Sequence, residues 1–209
     1  MKKGLFTLIK NEELVPSFHR LTFSGDGSAV TRPGQFAEVE IPGYFLRRPF
    51  SVADAGEDYL TLAVRVRGEG TAVLTDTRPG AKFDILTGLG NGFDLGCAGA
   101  RPLLIGGGSG APALYMACRE LVSRGAEPIA ALGFNSAAES FYVEDFTELG
   151  AETVVYTADG TLGRRGVVTD ALEDFEYTCV YACGAVPMLQ VIDRGAKTPA
   201  QFSLEARMG

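Results

Sequence analysis

The spacing of apolar residues changes near Arg101, and this change constrains the fold more than any other feature of the chain. Before Arg101, short runs with strand composition alternate with turn clusters rich in glycine and proline. Six candidate strands follow from this pattern: Gly4 to Ile9, Phe18 to Phe23, Phe36 to Ile41, Pro49 to Ala53, Tyr59 to Val66 and Lys82 to Leu86. Short strands at this spacing predict a small antiparallel barrel, with one helix from Thr71 to Thr77.

Beyond Arg101, apolar strands alternate with helical segments. The predicted strands are Pro102 to Ile105, Pro128 to Phe134, Thr153 to Thr157 and Thr178 to Ala182, with a final extended piece from Ala200 to Glu205. One predicted helix follows the glycine run and ends near Arg124. Three more are predicted, spanning Tyr142 to Leu149, Gly166 to Asp174 and Pro187 to Arg194. This alternation predicts a parallel sheet covered on both faces. The predicted fold class is therefore a six-stranded antiparallel β barrel, residues 1–97, followed by an α/β domain, residues 98–209.

Composition excludes several classes of protein. The net charge of −7 argues against nucleic acid or an anionic membrane surface as the main partner. No apolar run reaches the length of a membrane span, so we expect a soluble, cytoplasmic protein. The four cysteines have no C-x-x-C spacing, which favours reduced thiols over a disulfide framework or a metal site: Cys97, Cys118, Cys179 and Cys183. His19 has no partner cluster, and we predict a structural role for it.

The segment Leu46 to Val52 carries the chemistry expected of a flavin dinucleotide site. Arg48 offers fixed-charge, forked donors to a diphosphate. Phe50 shares the strand face of Arg48 and is suited to contact an isoalloxazine ring, while Ser51 offers a hydroxyl and a backbone donor to flavin N5. The alternative is a basic edge strand that Pro49 keeps from pairing.

A second candidate site is the turn Gly68-Glu69-Gly70-Thr71, which leads into the predicted helix. Glycines allow backbone N–H groups to approach an anion, and Thr71 either caps the helix or bonds a phosphate oxygen. Arg65 and Arg67, on the preceding strand, are predicted to share a face, where they could neutralise a diphosphate or bond adenosine-side oxygens. The alternative is a capped helix after a loop. The glycine-rich stretch from Thr87 to Phe93 is predicted to connect the domains rather than to form a strand.

The third candidate site is the run Gly106 to Pro112 at the first strand–helix turn of the α/β region. The phosphates of a dinucleotide bind at such a turn. The acidic residue expected after the second strand is missing, since Gly133-Phe134-Asn135-Ser136 stands there. The segment Asn135 to Glu139 has no Lys or Arg, which predicts NADH rather than NADPH as the nucleotide. Cys183 ends a strand beside the same crevice, or it is simply a small buried hydrophobic residue.

These motifs together resemble the ferredoxin–NADP reductase superfamily. Its R-x-Y-S motif is similar to Arg48-Pro49-Phe50-Ser51, and its second flavin motif to Gly68-x-Gly70-Thr71. Its nicotinamide nucleotide motif resembles Ile105 to Pro112, and its C-G-P-x-P-M motif resembles Cys183 to Met188, with Ala185 replacing the first proline. Within the superfamily, the chain resembles the electron-transfer subunits of the NADH-dependent, class B dihydroorotate dehydrogenases. Four further segments carry that likeness: Leu46 to Ser51, Gly90 to Phe93, Asp159 to Asp170 and Ser203 to Met208.

The resemblance implies FAD in the barrel and NAD(H) on the second domain. The implied FAD-binding residues are Arg48, Pro49, Phe50, Ser51, Arg65, Val66, Arg67, Gly70 and Thr71. The implied NAD-binding residues are Gly107, Gly108, Ser109, Gly110, Ala111, Cys183 and Gly184. The implied catalytic residues are Ser51, at flavin N5, and Cys183, near nicotinamide C4.

The resemblance also implies electron transfer from NADH through FAD to a dihydroorotate-oxidising, FMN-containing catalytic subunit, in a heterotetramer serving pyrimidine synthesis. The family carries a [2Fe–2S] cluster on four cysteines of a C-terminal tail, and this sequence stops at Gly209, where that segment should begin. We expect a truncated chain, with a natural form lacking the cluster as the alternative, and no metal ligands among the residues present. Two other functions stay open: a stand-alone flavin or ferredoxin reductase, and a nicotinamide-binding module without turnover.

Overall fold

The computed structural model describes residues 1–204, so the Glu205 end of the last predicted strand and the Glu205 to Met208 part of the family-like ending lie outside the described residues. The chain divides into two compact units, Met1–Gly92 and a second unit that begins at Phe93. The sequence predicts the domain boundary after Cys97, but the intervening residues contact the second unit. The backbone carbonyl of Asp94 accepts hydrogen bonds from Tyr181 Oη at 2.9 Å and from Gln201 Nε2 at 2.7 Å.

The first unit is a closed six-stranded antiparallel barrel, which confirms the predicted fold. Its strands are β1 (Lys2–Val15), β2 (Phe18–Ser24), β3 (Phe36–Val39), β4 (Arg48–Ala55), β5 (Tyr59–Arg65) and β6 (Lys82–Leu89), in the spatial order β1-β2-β5-β4-β3-β6. Alternation along β1 separates the core from the surface: Phe6 and Leu8 are fully buried, whereas Leu5 is 64% exposed. The helix α1 (Glu69–Thr75) lies between β5 and β6.

Strands β1 and β6 continue three or more residues beyond the ends that the sequence predicts. The prediction that Thr87 to Leu89 lie outside a strand is wrong, because β6 continues through Gly88 to Leu89. Gly88 has a φ of +70° and lies against the backbone of Ala29, and the β3–β6 register shifts in the same region. A glycine tolerates this local irregularity within a strand.

β1 continues to Val15 because its polar second half pairs with β2. There, Asn11 Oδ1 lies 2.9 Å from His19 Nδ1. Asn11 Nδ2 donates to the carbonyl oxygen of Thr75, the last residue of α1, at 2.6 Å, and to that of Thr77 just beyond the helix at 3.1 Å. His19 therefore orients an amide that binds carbonyls at a helix end, which is a structural role.

The second unit is a parallel six-stranded sheet with helices, as the sequence predicts. Its strands are β7 (Leu103–Gly107), β8 (Ile129–Phe134), β9 (Glu152–Thr157), β10 (Arg164–Arg165), β11 (Val180–Cys183) and β12 (Ala200–Ser203), in the order β10-β9-β8-β7-β11-β12. Its α-helices are α2 (Tyr115–Ser123), α3 (Val143–Glu148), α4 (Ala171–Asp174) and α5 (Val186–Gly195). The strand order reverses between β7 and β11, which is where open α/β sheets bind ligands.

Three local features of this unit differ from the prediction. The glycine run does not enter an α-helix directly, because a 3-10 helix at Gly108–Leu114 precedes α2. The segment predicted as one helix from Gly166 to Asp174 is a 3-10 turn, Val168–Asp170, followed by α4. Strand β10 is not predicted, since two residues are too few to show a period. Among the described residues, no helix is long and apolar enough to cross a membrane.

Candidate functional site

Two adjacent arginines at the start of β4 have different surroundings. Arg47 Nη2 donates to Glu40 Oε2 and to Asp84 Oδ1, both at 2.7 Å, and its Nη1 donates to the Asp84 carbonyl at 2.8 Å. Arg48 Nη1 donates to the carbonyl oxygen of Leu46 at 2.7 Å. Two carboxylates neutralise the charge of Arg47, whereas the charge of Arg48 lies 5.5 Å from the centre of the neutral Tyr44 ring. Arg48, the residue that the sequence selects, is the better placed of the two for an anion.

The start of α1 lies beside Arg48, so the two predicted flavin motifs meet in the barrel unit. A Cβ added at Gly70 would lie 3.6 Å from Arg48 Nε and 3.7 Å from the Tyr44 ring. Sequence reasoning missed Tyr44. The available signal was its position at the head of the aromatic and apolar run Tyr44-Phe45-Leu46, directly before the arginines.

The remaining residues of the first motif point to different sides of β4. Phe50 pairs with Ala37 and shares the strand face of Arg48, as alternation predicts. It is only 9% exposed, so most of its ring packs inside the barrel and only an edge is left for a ligand. Pro49 is exposed and Ser51 is half-buried, and both lie on the opposite strand face. β4 pairs on both sides, with β3 and β5, so it is not the unpaired edge strand of the alternative interpretation.

Thr71 caps α1, which decides between the two roles that the sequence left open. Its hydroxyl oxygen accepts from the backbone N–H groups of Arg67 and Gly68, at 2.9 and 3.1 Å, and the hydroxyl donates to the Gly68 carbonyl at 2.9 Å. The hydroxyl is therefore fully used within the turn. Thr71 therefore has no hydroxyl donor left for a phosphate, and the backbone N–H groups of the turn and the exposed Arg67 are the remaining donors.

Arg65 and Arg67 do not share a strand face, because β5 ends at Arg65. The side chain of Arg65 lies over the ring of Phe18, 5.5 Å from its centre. Its Nε is buried and has no hydrogen-bond partner among the described residues. Val66 still donates to the Ser17 carbonyl at 2.9 Å, and Arg67 is exposed in the turn. The buried, unsatisfied donor of Arg65 fits a bound acceptor such as a phosphate or hydroxyl oxygen.

In the second unit, the glycine run and the Cys183 motif come into backbone contact at the point where the strand order reverses. Gly106 pairs with Cys183 between β7 and β11. A Cβ on Gly110 would overlap the carbonyl group of Cys183 and would lie 2.7 Å from Gly184 N. A Cβ on Gly107 would lie 2.5 Å from Met188 Sδ. The two motifs therefore fit together only because Gly107 and Gly110 have no side chains.

The centre of the glycine run is accessible, while its flanks are buried. Gly108 and Ser109 are half-buried, and Gly108 has a φ of +52° with open space where a Cβ would be. Gly110 and Ala111 are buried. This shape, a backbone concavity at the carboxyl end of a parallel strand, fits the diphosphate of a dinucleotide.

Cys183 is fully buried at the end of β11, and Gly184 after it is half-buried. The strand position is the predicted one. The carbonyl group of Cys183 and the backbone nitrogen of Gly184 border the glycine run at Gly110.

A second pair of adjacent arginines lies at the outer edge of the sheet. Arg164 Nη1 donates to Asp174 Oδ2 at 2.6 Å, and the same carboxylate accepts from Tyr156 Oη at 2.7 Å. Arg165 is exposed and packs beside Gly160. The sequence analysis missed Arg165 as a candidate. The only signal for it was its position in the family-like segment Asp159 to Asp170.

The segment after β8 contacts the loop that precedes Arg165 and β10. Thr161 Oγ1 accepts from the Ala137 N–H at 2.8 Å, and Asn135 Nδ2 donates to Glu139 Oε2 at 2.8 Å. The segment expected to border an adenosine ribose thus carries the acidic Glu139, and the loop that contacts it leads to Arg165.

No group of three or more His, Cys, Asp or Glu side chains in residues 1–204 could hold a metal ion. The side chains that the structure describes therefore do not fit an iron–sulfur cluster, and no electron step is assigned to one on them.

The chain is similar over almost its whole length to curated electron transfer subunits of dihydroorotate dehydrogenase B (NAD(+)). The protein of Bacillus caldolyticus is 42% identical over 202 residues, which covers 91% of this chain and 78% of the relative. That of Geobacillus sp. (strain WCH70) is 37% identical over 220 residues, covering all of this chain and 85% of the relative. No protein-family model matches the chain.

Solved structures share the fold. The structure of an NADH-dependent reduced ferredoxin–NADP oxidoreductase, studied for flavin-based electron bifurcation, aligns with a TM-score of 0.85 and 26% identity. The alignment covers 97% of this chain and 77% of that one. Phthalate dioxygenase reductase aligns with a TM-score of 0.74 over 95% of this chain and 66% of that one, and at 17% identity it supports the fold alone.

Proposed function

The chain belongs to the family of electron transfer subunits of dihydroorotate dehydrogenase B, and from that premise we propose that it passes electrons from NADH through FAD to a dihydroorotate-oxidising catalytic subunit. The strongest support for the proposal is the backbone contact of the glycine run with Cys183 and Gly184, at the point where the strand order of the sheet reverses. This contact leaves a concavity of backbone atoms that fits a nucleotide.

In the barrel, we assign the FAD diphosphate to Arg48 and the start of α1. The guanidinium supplies a fixed positive charge, and the small Gly70 leaves the neighbouring backbone within reach. Arg65 Nε supplies a buried donor that is otherwise unsatisfied. Ser51 offers its hydroxyl and N–H at flavin N5, and the edge of Phe50 borders the ring. Pro49, Val66 and Arg67 complete the contact surface, and Thr71 holds the turn in shape.

In the second unit, we assign the NADH diphosphate to the concavity of Gly107, Gly108, Ser109, Gly110 and Ala111. Cys183 and Gly184 border the nicotinamide end through their backbone. Bound there, FAD would supply the chemistry of accepting a hydride from NADH and releasing electrons singly, so the protein itself needs little acid–base chemistry. Its residues bind, orient and shield the two cofactors.

The finer features of the family are proposals as well. We assign the electron acceptor to an FMN-containing catalytic subunit and the assembly to a heterotetramer of two copies of each chain. The relatives' name supports the dihydroorotate dehydrogenase partner, whereas FMN and the heterotetramer rest on the resemblance of the sequence to the family.

The test has two stages, so that failure of each half of the proposal is distinguishable. First, purified protein is reconstituted with FAD, and NADH oxidation is followed with ferricyanide as acceptor. We expect stoichiometric FAD binding and catalytic turnover. Protein that binds no FAD after reconstitution would overturn the flavoprotein assignment.

Second, the reconstituted protein is mixed with a dihydroorotate dehydrogenase catalytic subunit from the same genome. We expect a stable complex in analytical ultracentrifugation, and faster NADH-linked reduction of the FMN subunit than with free FAD. Ferricyanide turnover without complex formation would leave the flavoprotein assignment intact and overturn the partner.

A further inference from the structure

Two cysteines that are far apart in sequence lie side by side in the second unit. Cys97 ends the short 3-10 helix Leu95–Cys97, and Cys179 directly precedes β11. Their Sγ atoms are 3.8 Å apart, although the residues are separated by 82 positions. A disulfide has an S–S distance of about 2.05 Å, so a bond requires the two sulfur atoms to approach by less than about 2 Å.

Polar contacts on both sides of the pair hold the two segments together. Thr178 Oγ1 donates to the carbonyl oxygen of Ala98, and Thr178 N donates to the Arg101 carbonyl at 2.9 Å. On the other side, Tyr181 Oη donates to the Asp94 carbonyl at 2.9 Å. The residue next to each cysteine is thus tied to the segment of the other. The proximity of the two sulfurs is a property of the folded unit.

The two thiols are chemically unequal. Cys97 is exposed, and its Sγ accepts a hydrogen bond from Gln201 Nε2 at 3.1 Å. Cys179 is fully buried. Burial, helped by the hydrogen bond to Cys97, raises the pKa of the Cys179 thiol to about 11. A reagent in solution therefore reaches Cys97 first, with Cys179 directly behind it.

We propose that Cys97 and Cys179 form a reversible intrachain disulfide, in which Cys97 reacts with a small-molecule disulfide and Cys179 resolves the product. In the first step, the Cys97 thiolate attacks one sulfur of the reagent, forms a mixed disulfide and expels one thiolate. In the second, Cys179 loses its proton and attacks Cys97 Sγ, which forms the protein disulfide and expels the second thiolate. The protein pair is oxidised by two electrons, and the reagent is reduced to two thiols.

The chain provides a matched control for this pair. Cys118 lies fully buried in α2, and burial raises the pKa of its thiol to about 12. It tests whether a buried thiol reacts by itself. The proposal does not depend on the flavoprotein function, since it concerns residues outside the assigned cofactor contacts.

The experiment treats reduced, FAD-reconstituted protein with oxidised glutathione at pH 8 and follows it by intact mass and free-thiol titration under native and denaturing conditions. We expect a transient glutathione adduct, then a product two hydrogens lighter than the starting protein. Free thiols should fall from the four of the sequence to two, and dithiothreitol should restore them. After alkylation, trypsin, which does not cleave the Arg101–Pro102 bond, should release peptide 83–119 joined to peptide 166–194, and fragmentation should place the link between Cys97 and Cys179 rather than on Cys118 or Cys183.

Three variants separate the steps. Cys97→Ser should show neither adduct nor link, Cys179→Ala should keep a stable adduct on Cys97, and Cys118→Ser should behave as the parent protein. A stable glutathione adduct on Cys97 in the parent protein, a link to Cys183, or four unreacted thiols would each overturn the proposal. If Cys179→Ala does not fold, the peptide map of the parent protein still shows whether Cys97 is linked to Cys179.

Discussion

The two units of this protein build their candidate sites in opposite ways. The barrel site consists of side chains: Arg48 over Tyr44, and the buried donor of Arg65. The α/β site consists of backbone atoms, which are accessible because the glycines there have no side chains. A Cβ on Gly70 of the barrel would make ordinary contacts from 3.6 Å outward, whereas a Cβ on Gly110 would overlap the backbone of Cys183.

This difference teaches which kind of change each site tolerates. A site made of side chains loses affinity when a charge is removed, but its fold tolerates the change. A backbone site, where two segments are in van der Waals contact, tolerates loss of neighbouring side chains but not the addition of a methyl group. The following predictions test this contrast, in order of decreasing expected effect.

Gly110→Ala should have the largest effect. The added methyl group overlaps backbone atoms that cannot rotate away, and overpacking of this kind costs about 3 kcal/mol or more. We expect NADH oxidation to fall by at least about 100-fold, since a misplacement of about 1 Å is enough for such a loss. FAD binding to the barrel should be retained. Thermal unfolding and ferricyanide turnover are the measurements.

Gly125→Ala and Gly70→Ala are the controls for that experiment. Gly125 has open space where its Cβ would be and a φ of +82°, so its variant should lose about 1 kcal/mol through backbone strain alone. Gly70→Ala should leave stability almost unchanged. Equal losses in Gly110→Ala and Gly125→Ala would show that contact with Cys183 does not matter.

Arg48→Ala should lower FAD affinity by about one to two orders of magnitude, because a charge-assisted hydrogen bond contributes about 1.5–3 kcal/mol. Stability of the apoprotein should hardly change. Arg78→Ala, which removes an exposed arginine of the same unit, is the matched control. Fluorescence titration of apoprotein with FAD measures the affinity, and a variant that keeps its flavin through dialysis would refute the role of Arg48.

Nucleotide choice should show a smaller effect, because few side chains line the ribose region of the backbone site. Glu139 would repel a 2′-phosphate, so we expect kcat/KM to favour NADH over NADPH by about tenfold, equivalent to about 1.4 kcal/mol. Glu139→Gln should narrow this ratio, and Arg165→Ala should widen it. Equal kcat/KM values for both nucleotides in the parent protein would contradict the prediction.

Arg47→Ala tests the arginine that stabilises the barrel and should have the smallest effect, about 1 kcal/mol in the free energy of unfolding after allowance for solvent screening. Burial raises the pKa of Asp84, but hydrogen bonds from Lys3 and Arg47 outweigh it and hold the pKa below its usual value of 3.8. Stability from this carboxylate is therefore present above about pH 4 and is lost as the pH falls through the lowered pKa.

The difference between parent protein and Arg47→Ala should accordingly shrink when urea unfolding is repeated at progressively lower pH below about 4. FAD affinity of this variant should stay within about threefold of the parent value, or about 0.6 kcal/mol. A pH-independent difference in stability would show that the Asp84 ion pair is not its source.

Much of the fold and the outline of both sites could be predicted from local pattern. Strand alternation, turn glycines and the strand–glycine–helix order are short-range features, and they placed Arg48, Gly70 and Cys183 at or beside the correct element ends. The errors lie where local signals conflict with tertiary contacts. Gly88 continues β6 because the neighbouring backbone accommodates its positive φ, and Arg67 leaves the face of Arg65 because Thr71 caps the turn.

The sequence by itself determined the two-unit architecture, the motifs and the family, because these depend on residue order and on periods of two and 3.6 residues. Only the tertiary structure decided between neighbours of the same chemical type. Arg47 and Arg48 are adjacent, yet carboxylates on other segments neutralise the first, whereas the second lies over the ring of Tyr44. Cys97 and Cys179 have no local relationship, yet strand pairing and three hydrogen bonds bring their sulfurs to 3.8 Å. Such contacts depend on the closing of long loops, whose partners local sequence does not encode.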